Sequence, residues 1–438
     1  MHYYVEPEGM SKGARDLASA AAELGPADEK QAAAGTASDA DFGRLPGAAV
    51  AGAAVRSALA ALQPFLHTES AQLERLSEDV HDAARRYRSA DARTSQLYRE
   101  LLAETDGVPR DGLGLAVTTL PAPNTDPHAV NDWWERRDAD ARERMVTTHP
   151  ELIGGLDGVP VEVRDRANRV LLDRALAEHR LYRENPELDV MHGSTGKVAA
   201  MEAIQARLTA PGDRPPAYLL KIDPADDGQL IMSIGNPDTA PRTVTYVPGM
   251  TSDLATTPAM LERMDAVVAQ APPGTAATLW LGYDAPDGLG EVFRRSFAEA
   301  AAEPLSRFAD GLRATGTVPG GSYNLLLAHS YGTTTYGVTS STLGVDANAA
   351  YLVGSIGTTV QSGNAMLGTG DVNISTTRYD VAHGVGYVEY YNVDPSRIPF
   401  NAVVLPVGYI GDPVESHKIY LRDPQVIANI SRLLSQRP

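Results

Sequence analysis

The stretch NLLLAHSYGTTTYG, which begins at Asn324, constrains the fold of this chain more than any other. Its apolar part, up to Ala328, predicts a short buried strand, and the small residues that follow predict a helix packed closely on a sheet. Ser330 then lies in the sharp turn between them. Such a turn strains the serine backbone and leaves no room for large side chains two residues away, where Ala328 and Gly332 stand. The stretch therefore predicts a nucleophilic serine at a strand-to-helix elbow.

The chain from residue 216 to 438 has the pattern of an α/β domain. Helical stretches from Leu254 to Gln270, Val292 to Ala314 and Pro424 to Leu434 separate several short β-rich runs. The first two runs flank PADDG and predict a hairpin. We therefore expect a mostly parallel sheet of eight strands with helices on both faces. The eight runs are AYLLKID, QLIMSIG, TVTYVPG, ATLWLGYD, YNLLLAHS, AAYLVGS, NISTTRYD and AVVLPVG.

A serine in such an elbow needs a base and an acid, which follow it in the order Ser, acid, His. Of ten histidines, only His383 and His417 follow Ser330. His417 comes after the last predicted strand and before the final helix, where a general base can reach the serine. His383 follows the preceding strand and is the alternative. His329 is expected to pack beside the elbow without transferring protons.

Three carboxylates compete for the acid position. Asp380 ends the run NISTTRYD, a place from which a carboxylate can orient the imidazole and stabilise its cation. Asp394 and Asp412 are the alternatives, and each is also suited to a turn or a helix cap. The sequence favours Asp380.

The oxyanion of an acyl-transfer intermediate requires two hydrogen-bond donors. One is expected to be the backbone N–H of Tyr331, directly after the serine. The second should come from the loop VPGMTSDL after the third strand, where Gly249 allows a sharp turn. The N–H of Met250 or of Thr251 could then point inward.

The first half of the chain is helical in pattern. Residues 1–105 predict a helical hairpin, because apolar or small residues recur with a heptad spacing over about five repeats. Residues 106–215 predict a second helical region that links to the α/β domain and packs on it. The heptad positions are Leu66, Leu73, Val80, Tyr87 and Leu101, with Leu76, Ala83, Ala90 and Leu97 between them.

Charge and composition exclude several classes of partner. The formal charge of −18 would repel a phosphate backbone, so a nucleic acid is not expected to bind. The chain has no cysteine, which removes thiolate catalysis and Cys-ligated zinc. DPADDG, from Asp223, lacks the other ligands of a calcium loop, and the glycine pairs do not form a dinucleotide motif. We expect no metal, no cofactor and no membrane span.

The part of the chain from about 120 to 436 resembles an actinobacterial α/β-hydrolase family long known only as a domain of unknown function. The resemblance rests on DPHAVNDWW, LIGGLDGVPVEVRDRANR, YVPGMTSDL, LWLGYDAPDG, LAHSYGTTTYG and SHKIYL in that order. It implies the α/β-hydrolase fold and a triad of Ser330, Asp380 and His417, but no particular substrate. The elbow of that family usually opens with glycine, and Ala328 departs from it.

The N-terminal region resembles the WXG-type helical modules of type VII secretion. YRSAD, from Tyr87, matches the Y-x-x-x-D/E export motif of that family, whereas the Trp-x-Gly turn is missing and only DFG stands near its place. The resemblance implies a secreted or envelope protein, or otherwise a cytoplasmic one. It also implies that residues 1–105 can pair with another helical hairpin.

Together these features predict a serine hydrolase that acts on an ester, or less readily on a thioester or an amide, of a small or lipid-like acyl substrate. The alternative is a hydrolase fold that has lost catalysis and serves as a binding module of an exported or envelope protein.

Overall fold

The computed structural model describes residues 121–436, apart from 123, 211, 289, 378–379, 381, 383–394, 397–399 and 409–411. The predicted hairpin of residues 1–105, with its WXG-like features, lies outside the described residues. Two site candidates, His383 and Asp394, also lie outside them. No helix of the described part is both long and apolar enough to cross a membrane.

Helices precede the sheet, as the sequence predicts. The first begins where Asp126 accepts hydrogen bonds from two backbone N–H groups and Pro127 occupies the first turn. The helices are α1 (Pro127–Glu135), α2 (Ala139–Thr148), α3 (Pro150–Ile153), α4 (Val161–Arg183), α5 (Pro186–His192) and α6 (Ser194–Thr209).

Polar side chains of α4 hold the edge of the sheet at strand β1 (Ala217–Asp223). Asp165 accepts a hydrogen bond of 2.7 Å from the N–H of Leu219. Arg164 donates to the carbonyl of Leu220 at 3.0 Å. The backbone groups of β1 that face away from the sheet are thereby satisfied, which a buried strand edge requires.

The eight-stranded sheet has the order β1-β2-β4-β3-β5-β6-β7-β8. Strand β2 runs antiparallel to both its neighbours, and the other pairs are parallel. The predicted β-hairpin of the first two strands and the mostly parallel sheet are thus confirmed. The remaining strands are β2 (Gln229–Ile234), β3 (Arg242–Val247), β4 (Thr275–Leu281), β5 (Tyr323–His329), β6 (Ala347–Val353), β7 (Thr369–Ser375) and β8 (Val403–Val404).

Successive side chains of the central strands enter two apolar cores, one on each face of the sheet. In β5, Leu325 and Leu327 join one core, whereas Leu326 and Ala328 join the other. Such strands are apolar throughout because both faces are buried. The helices after β1 are α7 (Thr257–Gln270), α8 (Ser296–Thr315), α9 (Tyr331–Thr342), α10 (Pro413–Lys418) and α11 (Pro424–Ser435). Helices α8 and α9 cover one face, and α6, α7 and α11 the other.

The strands at one edge are shorter than the sequence predicts. β8 has only two residues, and beyond it the N–H of Leu405 still donates to the carbonyl of Ile374 in β7 at 2.8 Å. β7 begins four residues before the predicted run, which starts at Asn373, and it ends at Ser375, so the prediction that this strand continues to Asp380 is wrong. Beyond it the chain bends, and the N–H of Asp380 donates to the carbonyl of Thr377 at 3.0 Å.

Candidate active site

Ser330 lies between the end of β5 and the start of α9, at the carboxyl end of the sheet. Its φ of 55° and ψ of −125° are a conformation that residues other than glycine rarely adopt. Such backbone strain costs about 1–3 kcal/mol and is concentrated at functional sites. The N–H of Ser330 donates to the carbonyl of Val353 in β6 at 3.1 Å, which helps to hold the turn.

The residues two positions before and after Ser330 are small, and at Gly332 the reason is the backbone at the end of β3. A Cβ on Gly332 would lie 2.4 Å from the carbonyl oxygen of Val247 and 2.7 Å from that of Pro248. Ala328 is fully buried, and its methyl group packs in the core that contains Leu326. The elbow therefore excludes a side chain at residue 332 but accommodates a methyl group at residue 328.

The structure brings His417 and Ser330 together from residues that are far apart in the chain. His417 lies on the short helix α10, and its Nε2 is 2.8 Å from the Oγ of Ser330. Its Nδ1 is 2.7 Å from the Oδ1 of Asp380. Beside a carboxylate the imidazole carries its proton on Nδ1, so Nε2 is the acceptor for the serine hydroxyl.

Asp380 is buried, with a relative exposure of 3%. Its carboxylate accepts hydrogen bonds from the His417 ring, from the N–H of Ala382 at 2.7 Å and from the hydroxyl of Tyr420. Burial alone would raise the pKa of Asp380, but the hydrogen bond and charge of His417, with these other donors, lower it below its ordinary value. The carboxylate is thus kept ionised next to the imidazole.

Asp412, one of the alternatives for the acid, has a different role in the structure. Its Oδ1 accepts from the N–H groups of Val414 and Glu415, both at 2.9 Å. These contacts make it the N-cap of α10, the helix that carries His417. Among the described residues, Asp380 is the carboxylate that contacts the His417 ring.

The loop after β3 passes directly over the elbow. A Cβ on Gly249 would lie 2.7 Å from the Cβ of Ser330 and 3.1 Å from the backbone nitrogen of Tyr331. The N–H of Thr251 donates to the carbonyl of Pro286 at 2.7 Å. Because the N–H of Thr251 already makes this hydrogen bond, the N–H of Met250 is the candidate oxyanion donor from this loop.

We predict that Gly249→Ala lowers the rate of ester hydrolysis about a hundredfold to a thousandfold, which is the effect of losing one oxyanion donor. The added methyl group would meet Ser330 and the carbonyl oxygen of His329, at 2.9 Å, so the loop must move. Steady-state kinetics on a chromogenic ester measures the loss. Gly155→Ala is a matched control, because a Cβ there has no atom within 4 Å. Equal rates for the two variants would contradict the prediction.

His329 and Tyr420 also contact this site. The sequence predicts only that His329 packs beside the elbow, and it predicts no contact for Tyr420. The Nε2 of His329 lies 2.9 Å from the backbone carbonyl oxygen of His417. The hydroxyl of Tyr420 donates to the Oδ2 of Asp380. Tyr420 follows His417 by three residues in the stretch SHKIYL, and this spacing is the sequence signal that could indicate its contact with the site.

The pKa of His329 gives a prediction for stability. Burial, with the neighbouring His417, lowers this pKa to about 3. Below pH 6.5 the unfolded chain therefore binds a proton that the folded protein does not, and stability falls as the pH decreases from about 6.5 towards 3. From pH 7 to pH 5, His329 should contribute at most about 2 kcal/mol of this loss. Urea unfolding of wild type and His329→Gln measures the difference, and identical pH dependence would contradict the prediction.

Two further observations concern where a metal ion or a small molecule could bind. Among the described residues, no three His, Asp or Glu side chains form a cluster that could hold a metal ion. A cavity of about 880 Å³ lies beside the amino ends of the strands, where Trp134, Asp238 and Thr315 contribute to its lining. Neither Ser330 nor His417 lines this cavity.

Comparison with known proteins identifies related sequences. Residues 223–388 match the sequence profile of a family described as "Alpha/beta hydrolase". The uncharacterized protein Rv2079 of Mycobacterium tuberculosis is 30% identical over 268 residues, which cover 55% of this chain and 41% of that protein. The uncharacterized protein Mb0988c of Mycobacterium bovis is 32% identical over 186 residues, which cover 39% of this chain and 67% of that protein. The chain thus spans about two fifths of the first of these relatives.

Solved structures resemble the chain only distantly. An esterase from Pyrobaculum calidifontis aligns with 59% of this chain and 98% of its own, at 11% identity and a TM-score of 0.33. The S-formylglutathione hydrolase of Staphylococcus aureus aligns with 51% of this chain and 98% of its own, at 12% identity and a TM-score of 0.32.

Proposed function

The chain belongs to the α/β-hydrolase family, and we propose that it is a serine hydrolase that cleaves a carboxylic ester through an acyl-enzyme on Ser330. The observation that carries the proposal is the unbroken line of hydrogen bonds from the Ser330 hydroxyl through the His417 ring to Asp380. An imidazole held in this way can remove the serine proton as the oxygen attacks a carbonyl.

The first half of the reaction forms the acyl-enzyme. The Oγ of Ser330 attacks the ester carbonyl carbon while the Nε2 of His417 takes the hydroxyl proton. The backbone N–H groups of Met250 and Tyr331 stabilise the resulting oxyanion. The C–O bond to the alcohol then breaks, and His417 returns its proton to the leaving oxygen.

The second half of the reaction releases the acid. A water molecule gives a proton to the Nε2 of His417 and attacks the acyl carbon, forming a second tetrahedral intermediate. When that intermediate collapses, the bond to the Oγ of Ser330 breaks and the oxygen regains its proton from His417. In both halves Asp380 holds the imidazole in one orientation and stabilises its cation.

The substrate is proposed as a small or lipid-like acyl ester, with thioesters and amides as less favoured alternatives. Esters are favoured because an alkoxide leaving group requires less assistance than an amine. The Tyr331 side chain does not contribute to an acyl pocket, because its ring is fully buried and its hydroxyl donates to the carbonyl of Arg294 in the turn before α8. Met250, in the loop over the elbow, supplies a proposed oxyanion donor from its backbone and also carries an apolar side chain.

The test is pre-steady-state hydrolysis of p-nitrophenyl esters with acyl chains of graded length. An acyl-enzyme that forms faster than it hydrolyses gives a burst of p-nitrophenol equal to the enzyme concentration, followed by a slower steady rate. The dependence of the burst rate on chain length then defines the acyl preference. Steady hydrolysis that persists in Ser330→Ala would contradict the proposed function.

A further inference from the structure

His329 and Tyr420 contact the proposed triad but take no part in the steps above. We propose that these two side chains form a clamp that positions the base and the acid for Ser330. The clamp is the pair of hydrogen bonds from His329 to the backbone carbonyl of His417 and from Tyr420 to Asp380. The proposal rests on the proposed function. Both are positioning residues, because each acts through another side chain or backbone group and not on the substrate.

The first half of the clamp joins the nucleophile and the base through the backbone. A carbonyl oxygen can only accept, so the Nε2 of His329 donates its N–H to the carbonyl of His417 at 2.9 Å. The two imidazole rings are 4.9 Å apart and tilted by 36°. Since His329 is the last residue of β5 and Ser330 follows it, the strand that places the nucleophile also places the helix that carries the base.

The second half of the clamp fixes the acid. The hydroxyl of Tyr420 accepts the N–H of Thr377 at 3.0 Å, so its own proton is directed to the Oδ2 of Asp380. The other oxygen, Oδ1, accepts from His417 and from the N–H of Ala382. With partners on both oxygens, the carboxylate cannot rotate without losing a hydrogen bond to a charged group, which is the stronger class of hydrogen bond.

The two halves pack against each other. The rings of His329 and Tyr420 are 5.7 Å apart, and Tyr420 is fully buried. Gly354, just after β6, completes the contact: a Cβ there would lie 2.6 Å from Cε2 of Tyr420 and 3.1 Å from the Oδ2 of Asp380. The ends of β5 and β6 thus hold both side chains in place.

Neither member of the clamp changes its protonation in the range where His417 must work. Burial, with the neighbouring His417, lowers the pKa of His329 to about 3. Burial and the charge of Asp380 raise the pKa of Tyr420 above its ordinary value. Each side chain therefore remains neutral and keeps its donor.

The test uses three variants and measures covalent inactivation by a fluorophosphonate, which needs no knowledge of the natural substrate. His329→Met removes the donor but keeps an apolar side chain of similar length. His329→Gln replaces the ring N–H by an amide N–H that can reach the same carbonyl. Tyr420→Phe removes only the hydroxyl. The measured quantities are the maximal inactivation rate and the half-saturating probe concentration.

We expect His329→Met and Tyr420→Phe to lower the maximal inactivation rate roughly tenfold to a hundredfold, because small displacements of reacting groups have effects of this size. The half-saturating concentration should not change, and His329→Gln should recover most of the rate. Matched controls are His179→Met and Tyr336→Phe, which remove hydrogen bonds of two other buried side chains, to Ser194 and Thr369, and not to a residue of the triad. They should lower the melting temperature without slowing inactivation.

Three results would contradict the clamp in different ways. Wild-type rates in both His329→Met and Tyr420→Phe, with normal labelling of the wild type, would overturn the clamp and leave the proposed function standing. Failure of the folded wild type to react would overturn the proposed function and the clamp with it. A loss in His329→Met that His329→Gln does not recover would also contradict the hydrogen-bond role of His329.

Discussion

Ser330→Ala is expected to lower kcat for ester hydrolysis by about a millionfold, the loss seen when the nucleophile of a serine triad is removed. The reason is that the attacking oxygen itself is lost, while the rest of the site stays in place. Alanine also keeps the Cβ that the strained backbone at φ 55° already carries, so the folded structure should change little. The measurement is kcat on an activated ester, together with circular dichroism and a melting curve.

The matched control for this variant is Ser341→Ala, on the helix that follows the elbow. Its hydroxyl donates to the carbonyl of Val338 at 3.1 Å, and the residue lies about 16 Å from Ser330 along α9. Ser341→Ala should keep wild-type kcat. Ester hydrolysis by Ser330→Ala at the wild-type rate would show that Ser330 is not the nucleophile.

Asp380→Asn is expected to lower kcat about ten-thousandfold, as the same change does in other triads. An amide can present its NH₂ group to the Nδ1 of His417, which then holds the imidazole in the tautomer with its proton on Nε2. In that form Nε2 can no longer accept the proton of Ser330. With the NH₂ group in the place of Oδ1, the N–H of Ala382 loses its acceptor, whereas the hydroxyl of Tyr420 still donates to the remaining oxygen. The main loss should therefore appear in kcat, with a smaller loss of stability.

The other carboxylates that the sequence left open serve as comparisons. Asp412→Asn should retain most activity, because asparagine caps a helix about as well as aspartate does and Asp412 bonds to backbone N–H groups of α10. Asp394→Asn tests the candidate that lies outside the described residues. A greater loss in Asp394→Asn than in Asp380→Asn would show that the acid was assigned to the wrong residue.

The fold could be predicted well from the sequence because its strongest signals are local. The run from Leu325 to Ala328 is apolar on both faces of a strand, which is the pattern of a buried parallel strand. The residues at 328 and 332 are small because the neighbouring backbone lies within contact distance, as the 2.4 Å approach at Gly332 illustrates. The order of serine, acid and histidine along the chain then restricted the base to two residues.

Other details could not be predicted, because they depend on contacts between distant residues. Met250 is preferred to Thr251 as the candidate oxyanion donor because the N–H of Thr251 donates to the carbonyl of Pro286. No local sequence pattern indicates this hydrogen bond. The end of β7 depends on how far β6 pairs with it, and that pairing ends at Val353 and Ser375. Likewise, the contacts of His329 and Tyr420 with the site arise only when β5 and the segment after α10 come together.

The proposed function depends on Ser330 being an activated nucleophile. The most direct test is intact-mass spectrometry of the protein after reaction with a fluorophosphonate, followed by peptide mapping, with Ser330→Ala treated in parallel. We predict a single adduct on Ser330 in the wild type and none in the variant. No adduct on folded wild-type protein would contradict the claim and favour a binding module with an inactive hydrolase fold.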